Sequence, residues 1–180
     1  MPVDLSSYNN SWYKPGHPFK RGAWYLVNMV FFKSSFFPFY GFKRGLLRWF
    51  GATVGIGVLI KPGVNIKYPW KLVIGNHVWI GEAVWIDNLE LVTIGNDVCI
   101  SQGAFLLCGN HDYKSPAFDL IVKPITLEDE VWIGAKAIVA PGVTCRKAAV
   151  LAVGSVAGTD LEAGQVYQGN PAEKVKARYN

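Results

Sequence analysis

Residues 78–107, "VWIGEAVWIDNLELVTIGNDVCISQGAFLL", carry an aliphatic side chain at Ile80, Ile86, Ile94, Ile100 and Leu106. The steps are six residues long, with one step of eight between Ile86 and Ile94. A period of six suits neither an α-helix, which turns in about 3.6 residues, nor a long strand of period about 2. It suits a short strand followed by a turn, repeated. Such a unit cannot bury its aliphatic residue alone, but stacked units bury all of them in one core, which is the logic of a solenoid.

The same beat extends in both directions. Upstream it runs through Val54, Ile60, Ile66 and Ile74; downstream through Leu127, Ile133, Val139, Cys145, Leu151 and Ala157. A small or β-branched residue often follows four positions on, as at Val78, Val84, Ala104, Val131 and Ala137. The six-residue steps come in groups of three. The step lengthens by two after Ile66 and again after Ile86, and Leu106 to Leu127 spans 21 residues. This grouping predicts a mainly β solenoid of about five triangular coils, three hexads to a coil, with every insertion at one corner. The longest insertion, 107–124, projects there and contains His111. Long loops inside compact domains usually carry function or are disordered.

Two regions lie outside the repeat. Residues 1–20 are polar, with Pro15, Gly16 and Pro18, and read as a loop or arm. Residues 21–50 are rich in aromatics and predict two short helices meeting near Pro38, because proline disfavours helical backbone before it. Their apolar faces either pack on the main domain, or Trp24, Phe31, Phe36, Phe37 and Trp49, with Lys43, Arg44 and Arg48, meet a membrane surface or a lipid-linked substrate. The expected organisation is an arm with a helical segment at 1–50 and a repeat domain at 51–178, ending in a short C-terminal helix.

Composition narrows the function classes. The chain has 180 residues, is 51% hydrophobic and 17% charged, and carries a net charge of +5. That fits one folded domain. The cations are scattered, with mild clusters at Lys14–Arg21, Lys43–Arg48 and Lys174–Arg178, and no nucleic-acid-binding motif accompanies them. The three cysteines, Cys99, Cys108 and Cys145, are odd in number and lack CxxC spacing, which favours a reducing cytoplasm. The N-terminus does not read as a signal peptide. The most apolar run, Ala23 to Phe32, is far shorter than the roughly 20 residues that span a bilayer. With His17 outside the repeat and no paired histidines on neighbouring coils, no metal site is expected.

The hexads, with "VWIGAKAIVAPGVT" at 131–144 and "GNPAEKVK" at 169–176, resemble the hexapeptide-repeat acyltransferases. "RWFGATVGIGVLIKPGVNIKYPWKLVIG" at 48–75 and "ISQGAFLLCGNHDY" at 100–113 look most like the colanic-acid-type exopolysaccharide O-acetyltransferases. The resemblance implies a left-handed parallel β-helix, acetyl-CoA as donor, a sugar or glycan-precursor hydroxyl as acceptor, direct transfer, and a homotrimer with sites between subunits.

O-acetyl transfer needs a base for the hydroxyl proton, donors for the oxyanion and an acid for the leaving thiolate. Histidine titrates near neutrality and can serve as base and then acid. His111 matches the position of the family's catalytic histidine. Asp87, Glu82 and Gln102 are candidates to orient it, and Asp87, Asn88, Glu82 and Gln102 are candidates to hold the acceptor. The sugar acetyltransferases keep an asparagine where this chain has Gly81. Cys108, three residues before His111, is a weaker candidate for a nucleophile. His77 reads as a turn residue and His17 as a loop residue. For CoA, the resemblance points to small residues along the pantetheine arm, Gly134, Ala135, Val153, Gly154, Ser155, Gly158 and Thr159, with Trp132 as a wall. Lys174 and Lys176, with Arg178 as a further candidate, match cations that meet CoA phosphates; Thr159 stands where the family often has lysine. The alternatives are an N-acyltransferase acting on a nucleotide-linked amino sugar, or a non-catalytic scaffold. Cytoplasmic residence, with contact to the inner face of a membrane through residues 22–50 as the sharper reading, completes the expectation.

Overall fold

The computed structural model describes residues 2–179. Three parallel sheets form the faces of a triangular prism. Face A stacks Thr53–Val54, Leu72–Ile74, Val92–Ile94, Ile125–Leu127 and Thr144–Cys145. Face B runs from Leu59–Ile60 through Trp79–Ile80, Cys99–Ile100 and Trp132–Ile133 to Val150–Leu151. Face C stacks Asn65–Ile66, Trp85–Asp87, Phe105–Leu107, Ile138–Val139 and Val156–Ala157.

The hexad residues are in register from coil to coil. Ile60 aligns with Ile80, Ile80 with Ile100, Ile100 with Ile133, and Ile133 with Leu151. Each is at most 1% exposed, so the six-residue period is the core itself. At the tight corners, His77, Asp97 and Glu130 adopt φ of 56°, 56° and 63°. His77 is therefore an exposed corner residue, as expected. The three insertions leave at one corner, between faces C and A.

Each coil donates backbone N–H groups to the carbonyls of the next, as Gly55 does to Ile74 and Leu59 to Val78. The Ile56 and Pro62 carbonyls of the first coil accept from the second, but its outward-facing carbonyls, among them Val54, Val58, Ile60 and Ile66, have no preceding coil to receive from. The helical segment answers this. It comprises α1 (Pro18–Val27), a π-turn (Asn28–Phe32) and α2 (Tyr40–Trp49). Arg48 donates to the Val54 and Gly55 carbonyls, Arg44 to Val58, and Lys43 to Lys61 and Ile60. Trp24 Nε1 donates to the Ile66 carbonyl at 2.8 Å. Two readings of this segment are thus divided. Trp24 and Lys43 are buried and Arg44 and Arg48 cap the solenoid, while Phe36 and Trp49 are 95% and 79% exposed.

Two expectations are corrected. Helix α1 begins at Pro18, inside the segment read as arm, with His17 as its N-cap accepting from the Phe19 N–H; Pro at the first helical position loses no hydrogen bond. The C-terminus is no helix. Gln165–Gly169 lies parallel on Val150–Leu151 and starts a partial sixth coil, and Ala172–Ala177 folds back antiparallel through Gly169 at φ 104°. "AEKVKA" has no apolar helical stripe to bury, and pairing satisfies its backbone instead. The repeat itself therefore runs to five coils and part of a sixth.

Candidate active site

His111 stands on an antiparallel hairpin, Gly109–His111 with Leu120–Val122, that projects from the C-to-A corner. Its tip is tied internally. Asp112 Oδ1 accepts from the Lys114 N–H, Ser115 Oγ donates to Asp119 Oδ2 at 2.6 Å, and the Asp112 N–H donates to the Asp119 carbonyl. His111 Nδ1 lies 2.8 Å from the Phe118 carbonyl oxygen. A carbonyl only accepts, so Nδ1 is the donor, and in the neutral ring the lone pair lies on Nε2. The imidazole stacks on the Phe118 ring at 4.4 Å and 8°, and the Tyr8 ring leans on it at 5.7 Å and 54°.

Tyr8 belongs to the N-terminal arm, which crosses the insertions along this corner. The Asp4 N–H donates to the Pro116 carbonyl at 2.8 Å, Tyr13 Oη to Leu89, and Trp70 Nε1 to Pro15. No repeat pattern marks these residues, and the aromatic spacing Tyr8, Trp12, Tyr13 was the only available signal.

The orienting partner is thus a backbone carbonyl and not Asp87, Glu82 or Gln102. Asn88 is fully buried; it accepts from the Tyr68 N–H and donates to the Tyr68 and Lys71 carbonyls, so it closes the corner and is unavailable to a substrate. Asp87 is 7% exposed and lies 2.8 Å from Lys67 Nζ. Cys108 is buried, and burial pushes its thiol up to about 11, which leaves no useful thiolate at neutral pH.

Glu82 and Gln102 are exposed at a different corner, between faces B and C. They border a cavity of about 430 Å³ with Trp79, Gly81 and Ser101. Backbone bonds continue this row down the prism: Gly103 N–H to Glu82, Lys136 to Gln102 and Gly154 to Ala135. Ala135, Val153 and Gly154 therefore share one corner with Glu82 and Gln102, and Trp132, 47% exposed, adjoins it with its indole N–H on Ser101 Oγ. Gly158 and Thr159 follow the face C strand Val156–Ala157 and lie at the His111 corner.

A curated relative spans nearly the whole chain. WcaF of Escherichia coli K12, named for an acetyltransferase role in colanic acid biosynthesis, is 36% identical over 176 residues, 97% of each chain. The chain belongs to the hexapeptide-repeat acetyltransferases. No protein-family model matches it. A galactoside acetyltransferase solved with coenzyme A is 25% identical and covers 89% of this chain and 82% of its own, with a TM-score of 0.78. A hexapeptide-repeat acetyltransferase of Vibrio cholerae, solved with acetyl coenzyme A, shares the fold at a TM-score of 0.80 and 23% identity, over 90% of this chain and 88% of its own. The solenoid is the left-handed β-helix of this family.

Several small residues of this acetyltransferase have structural duties. A Cβ on Gly134 would meet Val153 N at 2.6 Å, so coil stacking alone demands glycine there. Gly81 is likewise closed by Gln102 N at 2.8 Å, which is the physical reason an asparagine has no place. Ser155 is buried and accepts from the Gly169 N–H, locking the C-terminal hairpin. Arg178 donates to the Glu130 carbonyl at 2.6 Å. Lys174 is exposed but 2.8 Å from Glu162. Lys176, Gly158 and Thr159 are exposed, and a Cβ on Gly154 or Gly158 would meet nothing.

Proposed function

We propose that the enzyme transfers acetyl from acetyl-CoA to a hydroxyl of a sugar or exopolysaccharide precursor, with His111 as general base. The tautomer of His111 carries this reading: with Nδ1–H held by Phe118, Nε2 takes the hydroxyl proton as the oxygen attacks the thioester carbonyl carbon. Backbone amides stabilise the oxyanion. When the C–S bond breaks, the imidazolium returns its proton to the departing thiolate, so the histidine ends neutral. WcaF and the galactoside acetyltransferase support acetyl transfer to a sugar, and the coenzyme A complexes of the two solved neighbours support the donor.

A homotrimer fits the division of candidates between two corners. A second copy that lays its B–C corner against the His111 corner would unite His111, Gly158 and Thr159 with Trp132, Ala135, Val153, Gly154, Glu82 and Gln102. Lys176 has no ion pair among the described residues and is the first cation for a CoA phosphate, and Lys174 serves once it leaves Glu162. Contact with the inner face of a membrane rests on the N-terminal segment. The first 50 residues hold seven basic and one acidic side chain, the remainder eleven and twelve. Phe19, Leu26, Phe36 and Trp49 are exposed there.

The test is thiol release from acetyl-CoA over a panel of sugars, nucleotide-sugars and lipid-linked glycans, wild type beside His111→Ala. Acceptor-dependent release that the variant loses supports the reading. Equal rates in both would remove His111 from the chemistry.

A further inference from the structure

Between α1 and face C lies a cavity of about 480 Å³, apart from the row at the B–C corner. Ligand pockets of roughly 300–1,000 Å³ are the usual size. Among the described residues, two buried side-chain polar atoms have no aligned hydrogen-bond partner: Arg21 Nε and Asp87 Oδ1. Both residues line this cavity. Lys67 Nζ stands 2.8 Å from Asp87 Oδ1 and forms an ion pair with it. That leaves Arg21 Nε as the buried polar atom with no partner, which costs free energy.

The walls indicate what completes them. The Arg21 guanidinium offers donors and the Asp87 carboxylate, ion-paired to Lys67, keeps acceptor capacity, so a ligand with both hydroxyl hydrogens and oxygens can pair with both residues. Trp85 supplies an apolar plate; it lines the cavity and is braced by Phe105, stacked at 4.6 Å and 15°. An aromatic plate beside convergent polar groups suits the apolar face and hydroxyl edge of a pyranose. Lys67 is already matched to Asp87, which leaves Arg21 and Lys33 as uncompensated cations on the lining. The cavity also adjoins the catalytic corner, since the Asp87 carbonyl accepts the N–H of Cys108 at the root of the His111 hairpin.

We infer that this cavity is a subsite for an anionic saccharide, the part of the acceptor that is held while another hydroxyl is acetylated. The inference rests on the glycan-acceptor reading. Arg21 takes the acid group, Asp87 accepts from sugar hydroxyls, and Trp85 carries the ring.

Saturation-transfer NMR on the full chain without acetyl-CoA tests it, using methyl glucuronide, methyl glucoside and inorganic phosphate as probes. Methyl glucuronide should bind in preference to methyl glucoside. Arg21→Ala should weaken it about tenfold, the loss expected for one charge-assisted hydrogen bond. Met29→Trp fills the cavity rim and leaves Arg21 and Asp87 in place; it should also abolish binding, with an unchanged melting temperature showing that the fold survives. Equal binding of glucoside and glucuronide, binding of phosphate alone, binding unaffected by both variants, or no binding of either glycoside would each overturn the subsite. Because acetyl-CoA is absent, the outcome is independent of the chemistry. Saccharide binding without turnover refutes the transfer reading only, and turnover that ignores Arg21→Ala and Met29→Trp refutes the subsite only.

Discussion

His111 and Phe118 are joined twice, by an Nδ1 to carbonyl-oxygen contact of 2.8 Å and by rings stacked at 4.4 Å. The first contact sets the proton and the second sets the plane. In the proposed general-base role, a hairpin residue seven positions away would thereby do what a buried carboxylate does in a catalytic triad, without placing a second charge beside the ring. His111→Ala should lower kcat by at least about 100-fold, the range for loss of a general base. Its melting curve should match wild type, since the hairpin's own tip bonds remain. An active His111→Ala enzyme would assign the base elsewhere.

Tyr8 braces the same imidazole from the arm. Tyr8→Ala should leave the coils intact and reduce kcat up to about tenfold, in line with the roughly 0.5–1.5 kcal/mol of an aromatic pair. Amide exchange should quicken in Gly109–His111 and Leu120–Val122 and not in face B. Unchanged exchange in the hairpin would mean that the arm does not support it.

Gly134 and Gly158 separate packing from ligand approach. Gly134→Ala drives a methyl onto backbone at 2.6 Å and should cost roughly 1–3 kcal/mol, read as a lower melting temperature. Gly158→Ala enters open space and should melt like wild type. If Gly134→Ala keeps full stability, the close stacking of the fourth coil on the fifth is looser than its geometry indicates.

Lys43 ties stability to pH. Burial pushes its amine down from 10.5 to about 8. Between these values the unfolded chain holds the proton that the folded chain has released, so stability rises with pH across that window. Below about 8 the cost of burying the cation is present in full. Lys43→Met should flatten this rise. Melting temperatures of the two proteins between pH 8 and 10.5 provide the comparison; parallel curves would show that Lys43 keeps its charge.

Cys108 is shielded and its thiol is pushed up to about 11. Cys108→Ala should retain transfer activity, and iodoacetamide at neutral pH should modify the wild-type residue slowly. A dead Cys108→Ala enzyme that still folds would revive a covalent route.

The sequence by itself determined the solenoid, its triangular section, the corner from which the insertions leave, and the place of His111. These follow from a local rule: a residue such as Ile100 is buried because the residues six before and six after it are buried too, and the rule repeats with every hexad. Only the tertiary structure decided what depends on neighbours distant in the chain. The period does not encode that Asn88 closes a corner against Tyr68, that Ser155 holds Gly169, that Arg44 and Arg48 cap an open coil, or that Phe118 and Tyr8 hold His111. In each case a polar or aromatic side chain meets a backbone group or ring exposed by the way coils, arm and hairpin come together. Such needs arise where the repeat begins, ends or is interrupted, and there the next residue no longer reports on the last.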